Sequence, residues 1–291
     1  MWPAGDAGLT VRYVPLRSGR RVRTVECGDP DGAPALFIHG WGCSSYVFAA
    51  NLRPIAEHRT AKKPLRTIAF DLQGHGLSDK PGDAASYTLA AMTAHVVDVL
   101  DALELESATL VGHSLGGRIA LELALARPER VRALALIAPV GLAPLRLAPL
   151  FPVVATPALI PLLPRLAQRR VVSMALRIVF GNRRAVSERD VAEFWSPTQY
   201  PAFLHALHAM LRVMDWSVMP RQRLGAMVPH VLAILGTADV LLGFPREGRA
   251  SALTAFPVVE VVRMRGAGHA VQMEAPDEVN AALLRFLDEG A

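Results

Sequence analysis

Ala108 to Ala126, ATLVGHSLGGRIALELALA, passes from a strand pattern to a helical one within five residues. ATLV is a short apolar run, LGGRIALELALA repeats apolar positions at helical spacing, and GHSLG between them sets glycines two residues either side of Ser114. So sharp a turn brings the strand and helix backbones together, and glycine alone lacks the Cβ atoms that would collide there. The residue at the tip must take strained backbone angles. Its reward is exposure of Ser114 Oγ, with the Leu115 amide aimed toward whatever the serine attacks. Two other readings of the pentapeptide stand beside this one: a packing turn, and a phosphate loop, for which the G-x-x-x-x-G-K-[ST] pattern is absent.

Other apolar runs of strand length punctuate the chain: ALFI (35–38), TIAF (67–70), ALALIA (133–138), VLAIL (231–235) and VEVVR (259–263). They lack the polar alternation of half-exposed strands, so both faces of their sheet should be covered and the strands parallel. Helical patterns intervene at 90–103, 115–126 and 276–287, the last with Pro276 at its first position and Asp277 and Glu278 in its first turn. The expected fold class is α/β: a mostly parallel sheet flanked by helices on both faces. Between about 140 and 226 the alternation stops and the chain reads as helices only, with Phe203, Leu207, Leu211 and Met214 at helical spacing. This predicts a core from 1–139 and 227–291, interrupted by a helical cap at 140–226. At 52% hydrophobic and 20% charged residues, the chain can bury such a core.

Three further segments bear on Ser114. LFIHGWGCSS (36–45) is a strand followed by His39-Gly40-Trp41-Gly42, where the Trp41 amide could supply a second oxyanion donor; the alternative is a tight turn with the indole packed under the cap. AILGTADVLLG (233–243) puts Asp239 after a buried strand, as a carboxylate able to orient an imidazole or as a turn cap. RGAGHAVQMEAP (265–276) puts His269 after the last strand, and the chain order Ser114, Asp239, His269 is that of a strand-to-helix serine elbow.

Together HGWG, GHSLGG, GTAD and GAGH resemble the α/β-hydrolase superfamily, and its cap-bearing serine members in particular. DLQGHGLSD (71–79) resembles the superfamily's D-x-x-G-x-G-x-S turn, which implies structural roles for Asp71, Gly74 and Gly76. The resemblance implies acyl transfer through Ser114, with His269 as base, Asp239 as its orienter and the Trp41 and Leu115 amides as the oxyanion hole. Carboxylic-ester hydrolysis is the expected activity, on a small-molecule ester and without metal or cofactor. The alternatives are hydrolytic C–C cleavage, a perhydrolase-type reaction, or a small-molecule receptor on the same fold. A serine at the elbow argues against haloalkane and epoxide chemistry, which uses aspartate there.

Leu147 to Pro164 runs 18 residues without a charge, the length of a short membrane span, but contains Pro149, Pro152, Pro157, Pro161 and Pro164. Each interior proline costs a helix about 3 kcal/mol, so a broken apolar lid is expected instead. Phe151, Val154 and Leu159 from it, and His113 beside the serine, are the candidate substrate contacts. Arg165, Arg169, Arg170, Arg177, Arg183 and Arg184 make the cap basic, read as a solvated face, with anionic substrates or peripheral contact with phospholipid surfaces as minor uses. The net charge of +5 forms no nucleic-acid-binding block. His205 and His208 lack a third metal donor in sequence, and Cys27 and Cys43 form no metal or disulfide pattern; Cys43 reads as a small buried thiol. The first residues carry no apolar signal segment, so a cytoplasmic protein is expected.

Overall fold

The computed structural model describes residues 2–3, 8–58, 64–182, 185–244 and 252–290. Its sheet has eight strands in the order β1-β2-β4-β3-β5-β6-β7-β8. Strands β1 (Thr10–Pro15) and β2 (Arg21–Gly28) pair antiparallel, and β2 pairs antiparallel with β4 (Leu65–Phe70). The remaining pairs are parallel, through β3 (Ala33–Ile38), β5 (Ala108–His113), β6 (Val131–Ile137), β7 (His230–Gly236) and β8 (Val259–Met264). The six apolar runs are strands β3 to β8. The β1–β2 hairpin was not among the expected strands, because β1 is an exposed edge and β2 carries charges that are buried only through pairing. Arg23 reaches Asp71 at 3.3 Å, and Glu26 reaches Arg66 at 2.8 Å.

Six helices have eight or more residues: α1 (Leu89–Ala102), α2 (Leu115–Ala126), α3 (Arg169–Val179), α4 (Glu188–Trp195), α5 (Pro201–Val213) and α6 (Pro276–Gly290). The two-residue period of the strands divides the core in two. Leu36, Ile38, Leu110, Leu134 and Leu136 face α1 and α2, where Met92, Val96, Ile119 and Leu123 meet them. Ala35, Phe37, Val111, Ala135 and Ile137 point the other way, toward Val279, Leu283 and Phe286 of α6. Covering both faces explains why the runs show no polar alternation.

The helical insertion leaves the sheet after β6 and returns at β7. Its prolines cut the apolar stretch into Ala148–Leu150, Phe151–Val154, Pro157–Leu162 and Leu163–Leu166. The stretches 148–154 and 157–165 meet at 83°, and no single helix among the described residues is long and apolar enough to cross a membrane. Arg118, fully buried in α2, holds the insertion's far end: it donates to the Ser217 carbonyl at 2.7 Å and to the Asp215 carboxylate at 2.9 Å. The Met219 amide donates to the Gly141 carbonyl at 2.7 Å, so the departing and returning chains are tied together.

The sheet and α2 approach most closely at Gly116, where a Cβ would lie 2.0 Å from the Ile38 carbonyl oxygen. Both partners are backbone and neither can yield. Gly116→Ala should therefore lower unfolding free energy by about 2–3 kcal/mol, read as an earlier urea midpoint. Gly82→Ala, where a Cβ meets nothing within 4 Å, should be neutral or slightly stabilising.

Candidate active site

Ser114 lies between β5 and α2 at φ 53°, ψ −115°, a conformation that L-residues rarely adopt. The surrounding hydrogen bonds fix it there. Its amide donates to the Ile137 carbonyl at 2.9 Å, and its own carbonyl accepts from Gly117 and Val140 at 3.0 Å each. A Cβ on Gly112 would lie 2.6 Å from the Gly116 carbonyl oxygen, so the flanking glycines are what lets strand and helix meet. Gly40 runs close beside the serine: a Cβ there would be 2.9 Å from Ser114 Cβ. The loop after β3 thus brings Trp41 next to the elbow.

Asp239 follows β7 and His269 follows β8. His269 Nδ1 donates to Asp239 Oδ2 at 2.8 Å, which leaves Nε2 to accept from Ser114 Oγ, also at 2.8 Å. Asp239 Oδ1 accepts from the Leu241 and Leu242 amides at 2.8 and 3.0 Å. Burial pushes the Asp239 carboxyl up, but His269 and these two amides outweigh it and hold the group below its ordinary value. The structure therefore joins the three residues proposed from sequence into one hydrogen-bonded chain, with both ends of the imidazole engaged.

Four buried histidines fix the loops around that chain. Leu72 N–H donates to His39 Nε2 at 2.9 Å, so His39 Nδ1 carries the proton and donates to the Gly40 carbonyl at 2.8 Å. Gly42 N–H donates to His75 Nε2 at 3.2 Å, and Gln73 N–H to His95 Nε2 at 3.2 Å. His113 Nε2 donates to the carbonyl of His269 at 3.0 Å. Each needs a neutral ring to accept or to stay buried. Asp71 completes the frame, accepting from the Ser45 and Leu77 amides at 2.8 Å; it is structural, as the D-x-x-G-x-G-x-S resemblance implies.

A cavity of about 430 Å³ opens over Ser114 and His269. Val140, Leu145, Phe151, Leu176, Phe194, Phe203, Leu207 and Met273 are among its walls, and among the described residues no Asp, Glu, Lys or Arg lines it. Of the substrate contacts expected from sequence, Phe151 and His113 line this cavity. Val154 and Leu159 do not, because the breaks between the short helices turn them away; Val154 is 41% exposed. Trp41 lines the mouth, and its indole N–H donates to the Leu207 carbonyl of α5 at 3.2 Å. Cys43 also lines the cavity, and burial pushes its thiol up to about 12. His205 is exposed while His208 binds the Thr156 carbonyl at 3.1 Å, so the two rings do not converge.

Sequence reasoning missed two residues here. Glu274 accepts from Gly268 at 2.8 Å through one oxygen, and from Gly181 and Asn182 at 2.8 and 3.1 Å through the other. It clamps the loop of His269 to the end of α3. Gln272 is fully buried against the cavity, and neither side-chain polar atom has a partner among the described residues. Both lie in the RGAGHAVQMEAP segment; their spacing from His269 is the one signal that could have drawn attention to them.

Burial lowers His39 and His75, and takes His95 and His113 down to about 3. In the unfolded chain these rings titrate near 6.5. Between the folded and unfolded values unfolding therefore takes up protons, so stability is complete above about 6.5 and falls as pH drops toward 3. Urea midpoints should decline from pH 7 to pH 4. His95→Gln keeps an acceptor for Gln73 N–H but no titrating ring, and should make that decline shallower; an unchanged slope would contradict the assignment.

A family model described as the alpha/beta hydrolase fold matches residues 34–276. The chain is 30% identical over 284 residues to the dihydrolipoyllysine-residue acetyltransferase component of the acetoin cleaving system of Cupriavidus necator, covering 96% of this chain and 67% of that protein. Over 126 residues it is 42% identical to a 2-hydroxymuconate semialdehyde hydrolase of a Pseudomonas species, covering 43% of this chain and 42% of that one. Among solved structures, a bacterial membrane phospholipase A superposes with a TM-score of 0.78 at 25% identity, covering 98% of this chain and 87% of that one. With the sheet order, the elbow and the insertion after β6, these matches place the chain in the α/β-hydrolase superfamily.

Proposed function

We propose that the chain is a serine hydrolase acting on a lipophilic, uncharged carbonyl substrate, with residues 140–226 as its cap. One observation carries this reading: the hydrogen-bonded chain Asp239–His269–Ser114 lies at the floor of a cavity that no charged side chain lines among the described residues. As Ser114 Oγ attacks the carbonyl carbon, His269 Nε2 takes its proton and Asp239 stabilises the resulting imidazolium. The oxyanion is received by the Leu115 and Trp41 amides. His269 returns the proton to the leaving alcohol, and water activated by the same ring then releases the acid from Ser114.

Ester cleavage suits the uncharged cavity. The second reading is cleavage of a C–C bond beside a ketone, and the relatives favour it: a 2-hydroxymuconate semialdehyde has no ester to hydrolyse. The same attack would then expel a carbanion stabilised by conjugation. A muconate carries a carboxylate, however, and among the described residues the cavity wall has no cation to pair with it. Gln272, with an unpartnered amide, is suited to a neutral carbonyl or hydroxyl on either kind of substrate.

Ser114→Ala should abolish turnover and single-site labelling by a fluorophosphonate while leaving the fold intact. Asp239→Asn should reduce kcat by roughly four orders of magnitude, since the imidazole loses its orienting acceptor. Labelling of the Ser114 variant would overturn the assignment.

On nitrophenyl esters, two added methylenes should raise kcat/KM roughly tenfold until the cavity fills. Phe151→Ala should flatten this rise and Val154→Ala should not. Hemiesters of dicarboxylic acids should be poor substrates. Turnover of a 2-hydroxy-6-oxo-dienoate far exceeding that of every ester would establish the C–C reading instead.

A further inference from the structure

The cap's outer surface has a composition unlike the rest of the molecule. Leu150 is 55% exposed, Val153 67% and Met174 60%; Leu147, Val154, Leu162, Val171 and Ile178 are also exposed. Leu147 and Ile178 additionally line the cavity above Ser114, so the apolar surface begins at the cavity mouth. From Leu147 it continues through Leu150 and Val154, and from Ile178 through Met174 and Val171 along one face of α3, in helical steps of three and four.

Charge on this segment is one-sided. Between Val140 and Ser187 there are seven arginines and no aspartate or glutamate. The whole chain is +5, so everything outside that segment is net −2. Arg169, Arg170 and Arg177 border an open groove on α3 together with Met174 and Ile178, which mixes guanidinium with apolar surface. The 83° bend between 148–154 and 157–165 rules out a straight span and leaves an apolar wedge. Exposed apolar side chains set among arginines, of which Arg169 is paired with Glu188 at 2.6 Å, match the interface of an anionic bilayer, where side chains enter the acyl boundary and guanidinium groups meet phosphate.

We propose that this face of the cap docks on an anionic phospholipid surface, with the cavity mouth turned toward the bilayer. Pairing with a second copy is disfavoured by charge, because a two-fold contact would set two arginine-rich surfaces against each other. The proposal rests on the surface alone and is independent of which bond Ser114 cleaves.

Flotation of the purified full chain with vesicles tests it without any turnover assay. The protein should float with vesicles of phosphatidylcholine containing one-third phosphatidylglycerol and not with phosphatidylcholine alone. Raising salt from about 100 to about 500 mM should weaken binding. The combined variant Leu150→Ser, Val153→Ser, Met174→Ser alters exposed side chains outside the cavity wall. It should keep the wild-type circular dichroism and urea midpoint but lose flotation. Arg165→Gln with Arg170→Gln should weaken binding by roughly fivefold per arginine. No flotation, equal flotation with neutral vesicles, or equal flotation of the serine variant would overturn the proposal. So would a dimer in sedimentation velocity that the serine variant dissociates, which would make the face a self-contact.

Discussion

The site depends on one contact between backbones. Below Ser114, the end of β5 and the first turn of α2 touch with no side chain between them, and α2 also lies directly on the end of β3 at the Ile38 carbonyl. This contact forces the serine to φ 53° and places its carbonyl where Gly117 and Val140 can bond it. The strain is held by hydrogen bonds on either side, since the conformation is unfavourable in isolation. Because β3, β5 and β6 converge at this point, the loop carrying Trp41 and the start of the insertion meet at the serine.

A second group of contacts joins the cap to the histidine loop. A Cβ on Gly268 would lie 2.3 Å from the Gly181 nitrogen, and His269 N–H donates to the Val179 carbonyl at 2.9 Å. Glu274 bonds both sides of this junction, and burial raises its carboxyl despite three amide donors. The backbone of His269 is thus held partly by α3, the helix whose outer face carries Met174 and Ile178. On the opposite side, the Trp41 indole ties the loop after β3 to α5 through Leu207. The cap therefore closes the cavity and also braces both loops that flank Ser114, so a shift of α3 would be felt at the imidazole before it reached the serine.

Most of this frame was legible in the sequence, for a physical reason. Parallel strands buried on both faces leave uninterrupted apolar runs, and a strand-to-helix elbow requires small residues at fixed offsets, so β3 to β8 and Ser114 each carry a local signal. Asp239 and His269 were legible through chain order. The β1–β2 hairpin was not, because β1 is an exposed edge whose apolar residues are interrupted by Arg12, and the buried charges of β2 depend on Asp71 and Arg66, distant partners that no local pattern reveals. The cap was read correctly as proline-broken, yet of Phe151, Val154 and Leu159 only the first faces the cavity. Where each short helix points is decided by the bend angles, and these are tertiary. Trp41 had two readings from sequence, an amide donor or an indole packed under the cap; its indole bonds a cap carbonyl while its backbone runs beside the serine, so the two are compatible.

The distribution of charge supports the lipophilic, uncharged substrate proposed above. Beneath the site Arg23 and Asp71 are both buried and paired, and the carboxylate also takes two amides; removing one partner would cost about 3–5 kcal/mol by stranding the other. His39, His75, His95 and His113 are held neutral by burial, each with at least one ring nitrogen tied to the backbone. Above them no charged side chain lines the cavity among the described residues, and the segment 140–187 beyond the wall carries seven arginines and no acid. A charged substrate would have to leave water without a partner waiting for it, whereas a lipophilic one gains at every step from mouth to floor. Among the described residues, the ionic partner that reaches the proposed reacting atoms is then Asp239, through His269. Positive charge that develops on that ring therefore has its counter-ion 2.8 Å away, in surroundings that screen it little.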